Sequence, residues 1–242
     1  MPDVIPDGIR QMPLPGPLNL WNHTAPPPER SFTPGTCGTI RRLPLYGESA
    51  PPDQHRLLEN TVNPKHLELV EEARRIAPEN VKVEFSGEII IMQAAPSAIH
   101  QRNLDHVARQ FAGYVPADHF ASQNSGLASP QTGTSRTPDL TILPEDVPEG
   151  ENNEIPAELA LIAVEIVSPS NPENDWVGKV RDYPLMGIPL YLIVDAREKT
   201  VALFSEPENG RYRQREDAAF GEDIHIPAPF SFTLDTRSLF HV

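Results

Sequence analysis

Glu165 is the residue whose type and surroundings most demand an explanation. It lies inside the run ALIAVEIVS, with apolar neighbours on both sides, so strand alternation alone does not deliver it to solvent. A carboxylate held away from water is costly unless it is paired, hydrogen-bonded or bound to a metal. Burial alone leaves two readings open, a structural ion pair with Arg or Lys and a functional acid. Asp139 shifts the balance, because it opens the preceding apolar strand directly after Pro138. If those two strands run antiparallel, an acid at the start of one meets an acid near the end of the other. Two acids meeting there repel unless a cation sits between them. Hard oxygen donors, with no cysteine and few histidines nearby, suit Mg²⁺ or Mn²⁺ better than Zn²⁺.

A third group comes from the helix expected after the Glu165 strand. Asp175, Lys179 and Tyr183 recur at i, i+4 and i+8 and so share one helical face. A lysine beside two metal-bound carboxylates can position the attacking water and steady developing negative charge. The plain alternative is an exposed Asp175–Lys179 pair, worth roughly 0.3–0.5 kcal/mol. Other residues are weaker candidates. Glu84 and Glu88 flank a hairpin turn, where both could be solvated. His100 reads as a partly buried core histidine, and Tyr183 as a packing residue whose hydroxyl reaches towards the site. Ser168 reads as a strand exit, since no histidine is placed to activate it.

The elements that must position these groups follow from periodicity and punctuation. Asn63-Pro64 starts a helix with Leu67, Val70, Ala73 and Ile76 on one face. VKVEF and EIIIMQ form a hairpin around Ser86-Gly87. A second helix starts near Pro96-Ser97, carrying Ile99, Leu104, Val107 and Phe111, and a loop rich in Ser, Gly, Asn and Thr follows. PDLTIL is a short strand and ELALIAVEIVS a central strand buried on both faces. NPENDWVGKVRDYPLMG is a helix, PLYLIVDA a core strand, and TVALFSE, RYRQRED and DIHIP close the chain as an antiparallel meander. That order gives an α/β or α+β domain over residues 63–242, with a mixed central β-sheet flanked by helices. Residues 1–62 read differently. Much of the chain's complement of 28 prolines falls there, as in PLPGPLNLW and APPPER, which predicts a poorly ordered extension with short docked pieces around Leu18–Trp21 and Ile40–Tyr46.

Composition narrows the class. The net charge of −14 counts against binding nucleic acid by charge alone, because phosphate neutralisation supplies most such affinity. Cys37 is the single cysteine, so an intrachain disulfide and a cysteine-based zinc cluster are excluded. With no leader pattern and no membrane-length apolar stretch, the expectation is a cytoplasmic protein with no membrane partner.

Taken together, Pro138-Asp139 and VEIVSPSNPENDWVGKVRDYPLMGIPLYLIVD closely resemble the Uma-type family of restriction endonucleases, within the PD-(D/E)XK superfamily. VEFSGEIIIMQAAPSAIHQRN resembles the family's hairpin and helix start, and FSFTLDTRSLF its closing strand. The resemblance covers Val81 to Phe240. It implies a restriction-endonuclease-like fold and Mg²⁺-dependent hydrolysis of DNA phosphodiesters, with a homodimer suited to a duplex. Carried over by position, Asp139 and Glu165 become metal ligands and Lys179 the catalytic lysine. Glu84 becomes an additional acid, and His100 and Tyr183 pocket residues. The usual superfamily lysine lies two residues after the second acid, where this chain has Val167. That departure, with the net charge, keeps a second reading open. It is a non-catalytic nuclease-fold binding or regulatory module that meets a protein partner through its proline-rich extension.

Limited proteolysis is expected to trim the extension to near Pro51–Thr61 and leave a cooperatively melting remainder. Loss of the thermal transition on trimming would place the extension inside the fold.

Overall fold

Capping and turn chemistry fix the first elements. The computed structural model describes residues 40–42, 64–78, 81–87, 89–93, 96–148 and 154–241. The extension expected over 1–62 lies outside these residues except for Ile40–Arg42, a short strand, β1. Helix α1 (Pro64–Ile76) begins on a proline, whose missing N–H is no loss at that position. Strands β2 (Lys82–Ser86) and β3 (Ile89–Gln93) form the expected hairpin. Gly87 sits at its turn with φ +56°, a conformation that side chains rarely adopt. Helix α2 (Ala98–Phe111) is capped by Ser97, whose hydroxyl accepts the His100 N–H at 3.2 Å.

The segment expected as a loop holds three strands, β4 (His119–Gln123), β5 (Leu127–Ser129) and β6 (Thr134–Arg136). Their polar side chains carry no apolar period, yet Ser129, Thr134, Ser135 and Arg136 are all buried. Strands β7 (Leu140–Pro144) and β8 (Ile155–Pro156) follow. The expected long central strand is shorter than its apolar run. Ala157–Leu159 forms a 3₁₀ turn, and only Ala163–Ile166 is strand β9. Ala157 in that turn and Ala160 and Ile162 after it are buried, which an apolar run cannot distinguish from a strand. A π-helical turn, Asn174–Lys179, leads into helix α3 (Val180–Leu185), and Gly187 beyond it has φ +85°. The chain closes with β10 (Tyr191–Asp195), β11 (Thr200–Glu208), β12 (Arg211–Ala219), β13 (Asp223–Ile226) and β14 (Phe232–Asp235).

The seven-stranded sheet runs β1-β12-β11-β10-β9-β7-β4, with β9 and β10 parallel and the other pairs antiparallel. A five-stranded sheet runs β3-β2-β6-β5-β8, and β13 pairs β14. The mixed α+β architecture and the closing antiparallel strands are those expected. Side-chain alternation divides the large sheet into two apolar layers. Val164, Ile166, Leu192 and Val194 meet Leu104, Val107 and Phe111 of α2 on one face. Ala163, Val167, Tyr191 and Ile193 meet Tyr183 of α3 on the other. Glu165 falls on that second face by parity. Among the described residues no helix is long and apolar enough to cross a membrane.

Phe111 anchors the first layer, with edge-to-face contacts to Phe230 at 5.2 Å and Phe232 at 5.0 Å. Phe111→Ala is expected to cost about 3–5 kcal/mol in urea unfolding, from lost burial and the cavity left behind.

Candidate active site

Strand register brings the two acids together. β7 and β9 pair antiparallel with Leu140 opposite Val164 and Thr141 opposite Ala163. One further step sets Asp139 opposite Glu165, and both carboxylates line one pocket. Each is then held by different groups. Asp139 accepts the Ile166 backbone N–H on Oδ2 at 2.9 Å, and His100 Nε2 lies 2.9 Å from the same oxygen. Lys82 Nζ lies 2.7 Å from Asp139 Oδ1. Glu165 Oε1 accepts from the Tyr183 hydroxyl at 2.6 Å and lies 2.8 Å from Lys179 Nζ.

Lys179 corrects the alternative of an exposed helical pair. Its side chain is 1 % exposed, and its ammonium lies 3.0 Å from Asp175 and 3.7 Å from Glu84 as well. Asn174, Asp175 and Lys179 all belong to the π-helical turn and are buried. Glu84 is likewise buried, not solvated, and accepts the Thr137 N–H at 2.8 Å. Glu88 lies outside the described residues.

A second buried cation completes the cluster. Arg136 Nη1 lies 3.2 Å from Glu84 and donates to Asn174 Oδ1 at 3.0 Å, while its Nε donates to Asp182 at 3.0 Å. Gly178 allows this approach. A Cβ there would stand 3.3 Å from Asn174 Oδ1 and 3.4 Å from Arg136 Nη2, closer than side chains comfortably pack.

The electrostatics follow from this wiring. Burial would raise the Asp139 pKa, but the His100 hydrogen bond and the Lys82 charge outweigh it and hold the acid well below its usual range. Glu165 goes the other way. Burial, with the charges of Asp139 and Asp175, pushes it up to about 8 against the pull of Lys179. Burial also raises Asp175. Burial would lower Lys179, but Asp175, Glu165 and Glu84 around it raise it instead. One ammonium faces three carboxylates, so it stays charged and the excess negative charge falls on Glu165 and Asp175.

The six residues carried over by the resemblance (Glu84, His100, Asp139, Glu165, Lys179 and Tyr183) all take part in the contacts around these two acids. Lys82, Arg136, Asn174 and Asp182 were not singled out. Lys82 had a legible signal, since it lies two residues before Glu84 on a strand and so shares its face. Arg136 and Asp182 had none, because a polar strand and a helix interior give no cue to a buried pair.

Among the described residues no group of three or more His, Cys, Asp or Glu side chains is arranged to hold a metal ion. Mg²⁺, however, takes as few as one or two carboxylates from a protein and completes its shell with water and substrate oxygens. Asp139 and Glu165 meet that need, with oxygen donors only. The raised Glu165, with Asp139 and Asp175 beside it, marks a site short of positive charge. The donor set fits a small hard dication.

The fold and this acid-lined pocket define a nuclease-fold protein. The chain superposes on the crystal structure of a "putative nuclease belonging to DUF820" from Anabaena variabilis with a TM-score of 0.53, at 20 % identity, over 71 % of this chain and 96 % of that one. Residues 70–237 match the Uma2 family, described as "Putative restriction endonuclease", and the chain belongs to that family. No curated protein matches it.

The raised Glu165 has a consequence for stability. A carboxyl with folded pKa near 8 and an ordinary value of 4.5 adds stability that is complete below pH 4.5 and lost as pH rises towards 8. Glu165→Gln is expected to flatten the fall in melting temperature across that window. An unchanged slope in the variant would assign the fall to other groups.

Proposed function

We propose that this chain is a Mg²⁺- or Mn²⁺-dependent DNA endonuclease, with Asp139 and Glu165 as the metal ligands. The observation that carries the reading is the cross-strand opposition of these two acids at one pocket. When bound, the metal supplies Lewis-acid polarisation of the phosphate and a water of lowered pKa. The chain's own residues prepare the site. His100 and the Ile166 N–H fix the Asp139 carboxylate, and Tyr183 and Lys179 fix that of Glu165. Lys179 acts through Glu165 and Asp175, and Glu84 acts as the further acid that holds it. In the reaction, water oxygen bonds to phosphorus and one ester P–O bond breaks. A phosphate monoester and a free hydroxyl result, with the water's protons passing to the leaving oxygen and to solvent. A homodimer acting on duplex DNA in the cytoplasm is the working form this reading carries with it.

The acidic surface favours the rival reading, a non-catalytic module that binds a protein partner. One panel separates them. Wild type, Asp139→Ala, Glu165→Ala and Lys179→Met are incubated with plasmid and single-stranded DNA at low salt, with Mg²⁺, Mn²⁺ or EDTA. Wild type is expected to cleave with either metal, and the two acid variants to lose cleavage and metal binding. Lys179→Met should lose cleavage together with about 3–5 kcal/mol of stability, since three buried carboxylates lose their shared ammonium. Mg²⁺ should raise the melting temperature more near pH 8 than near pH 5, because Glu165 must ionise to bind it. No cleavage by wild type, with partner binding indifferent to Asp139→Ala, would establish the binding module instead.

A further inference from the structure

The two lysines of the site differ in one decisive respect. Lys179 is 1 % exposed and does not line the pocket, whereas Lys82 lines it and is 23 % exposed. Lys82 is the one Lys or Arg among the described pocket-lining residues. A phosphodiester entering this pocket meets the carboxylates of Asp139, Glu165 and Asp175, and Lys82 is the ammonium placed to offset them. The N-terminal end of α2 borders the same pocket through Pro96 and Ser97, adding its partial positive charge.

Lys82 is also connected in a way that permits exchange. Its ammonium contacts Asp139 Oδ1 at 2.7 Å and reaches the Thr137 carbonyl at 3.5 Å. Asp139 Oδ2 is held separately, by His100 and the Ile166 N–H. Moving Lys82 away therefore frees one oxygen of Asp139 without releasing the carboxylate from its place. Lysine is suited to this, as a point charge on a flexible stem with donors that rotate.

We propose that Lys82 is the substrate-contacting cation of this site. It covers Asp139 Oδ1 in the resting protein and turns to the phosphate of a nucleic-acid strand when a divalent cation takes that oxygen. Lys179 is then the buried counter-ion that positions Glu165. This assignment rests on the nuclease reading and divides between two residues the work that the sequence gives to Lys179.

The division predicts opposite effects from one substitution, tested in the full chain. Lys82→Gln should bind Mn²⁺ about tenfold tighter without DNA, because a positive charge next to the cation's oxygen is gone. The same variant should bind a short DNA duplex more weakly in Ca²⁺, another cation that seeks oxygen donors. Losing one phosphate contact should lower the slope of log affinity against log KCl by about 0.9. Lys82→Arg should restore that slope. A merely structural lysine would weaken Mn²⁺ and DNA binding together, or leave the salt slope unchanged, and either result overturns the assignment. Wild type that cleaves DNA while Lys82→Gln keeps the wild-type slope would leave the nuclease reading standing and remove Lys82 from it. Wild type that neither binds nor cleaves DNA overturns both.

Discussion

A single buried ammonium carries most of the constraint in this structure. Lys179 lies within 3.7 Å of carboxylates from β2, from β9 and from its own helical turn. Arg136 repeats the device one step away, joining β6 to Glu84, Asn174 and Asp182. Between them the two cations clamp the hairpin sheet and the π-helical turn onto the face of the large sheet. Such a cluster is a poor source of stability, because desolvating each ion costs several kcal/mol before any attraction is gained. An apolar plug of similar volume would fill the space as well. What the ions provide is a fixed set of carboxylates at the strand ends, one of them left short of positive charge.

That shortage separates Asp139 from Glu165. Both are buried acids on adjacent strands, yet one is held ionised by His100 and Lys82 and the other is pushed towards the neutral form. Environments that drive two neighbouring acids apart are the usual sign of divided roles. Here the division tracks the wiring. Asp139 accepts from a backbone N–H that any residue but proline at 166 would supply, whereas the only cation on Glu165, beside the Tyr183 hydroxyl, is an ammonium shared with two other acids. A cation arriving at the pocket adds least to Asp139, which is already charged, and most to Glu165.

Much of this was legible in the sequence, and what was not has physical reasons. The meeting of the two acids followed from where Asp139 and Glu165 sit in their strands on the condition, met in the structure, that those strands run antiparallel, and the β2–β3 hairpin followed from its turn glycine. The resemblance carried the nuclease fold. Burial of charge was legible for Glu165, whose run is apolar on both sides, but not for Lys179 or Arg136. The spacing that puts Lys179 on one face with Asp175 and Tyr183 leaves open whether that face is buried or exposed, and here it is buried. Strands β5 and β6 escaped because Leu127 is the one apolar residue they bury beside Ser129, Thr134, Ser135 and Arg136, and β4 because none of its side chains is fully buried. The central strand was overestimated because an apolar turn and an apolar strand have the same composition.

The departure at Val167 belongs to the same packing. Position 167, the residue after β9, falls by parity on the same side as Glu165, so a lysine there would project to the side on which Lys179 contacts that carboxylate. Val167 is 2 % exposed and packs in the layer that includes Tyr183. An ammonium in its place would lose its water, displace apolar contacts and stand near a second buried ammonium, a like-charge pair that a low-dielectric interior penalises heavily. The strand lysine and the helix lysine are therefore alternatives for one location, not independent features. Once the helix supplies the counter-ion to Glu165, the strand position reverts to core. On the nuclease reading proposed above, a lysine that meets substrate comes from elsewhere, and the hairpin strand β2, whose Glu84 reaches Lys179, brings Lys82 to the pocket.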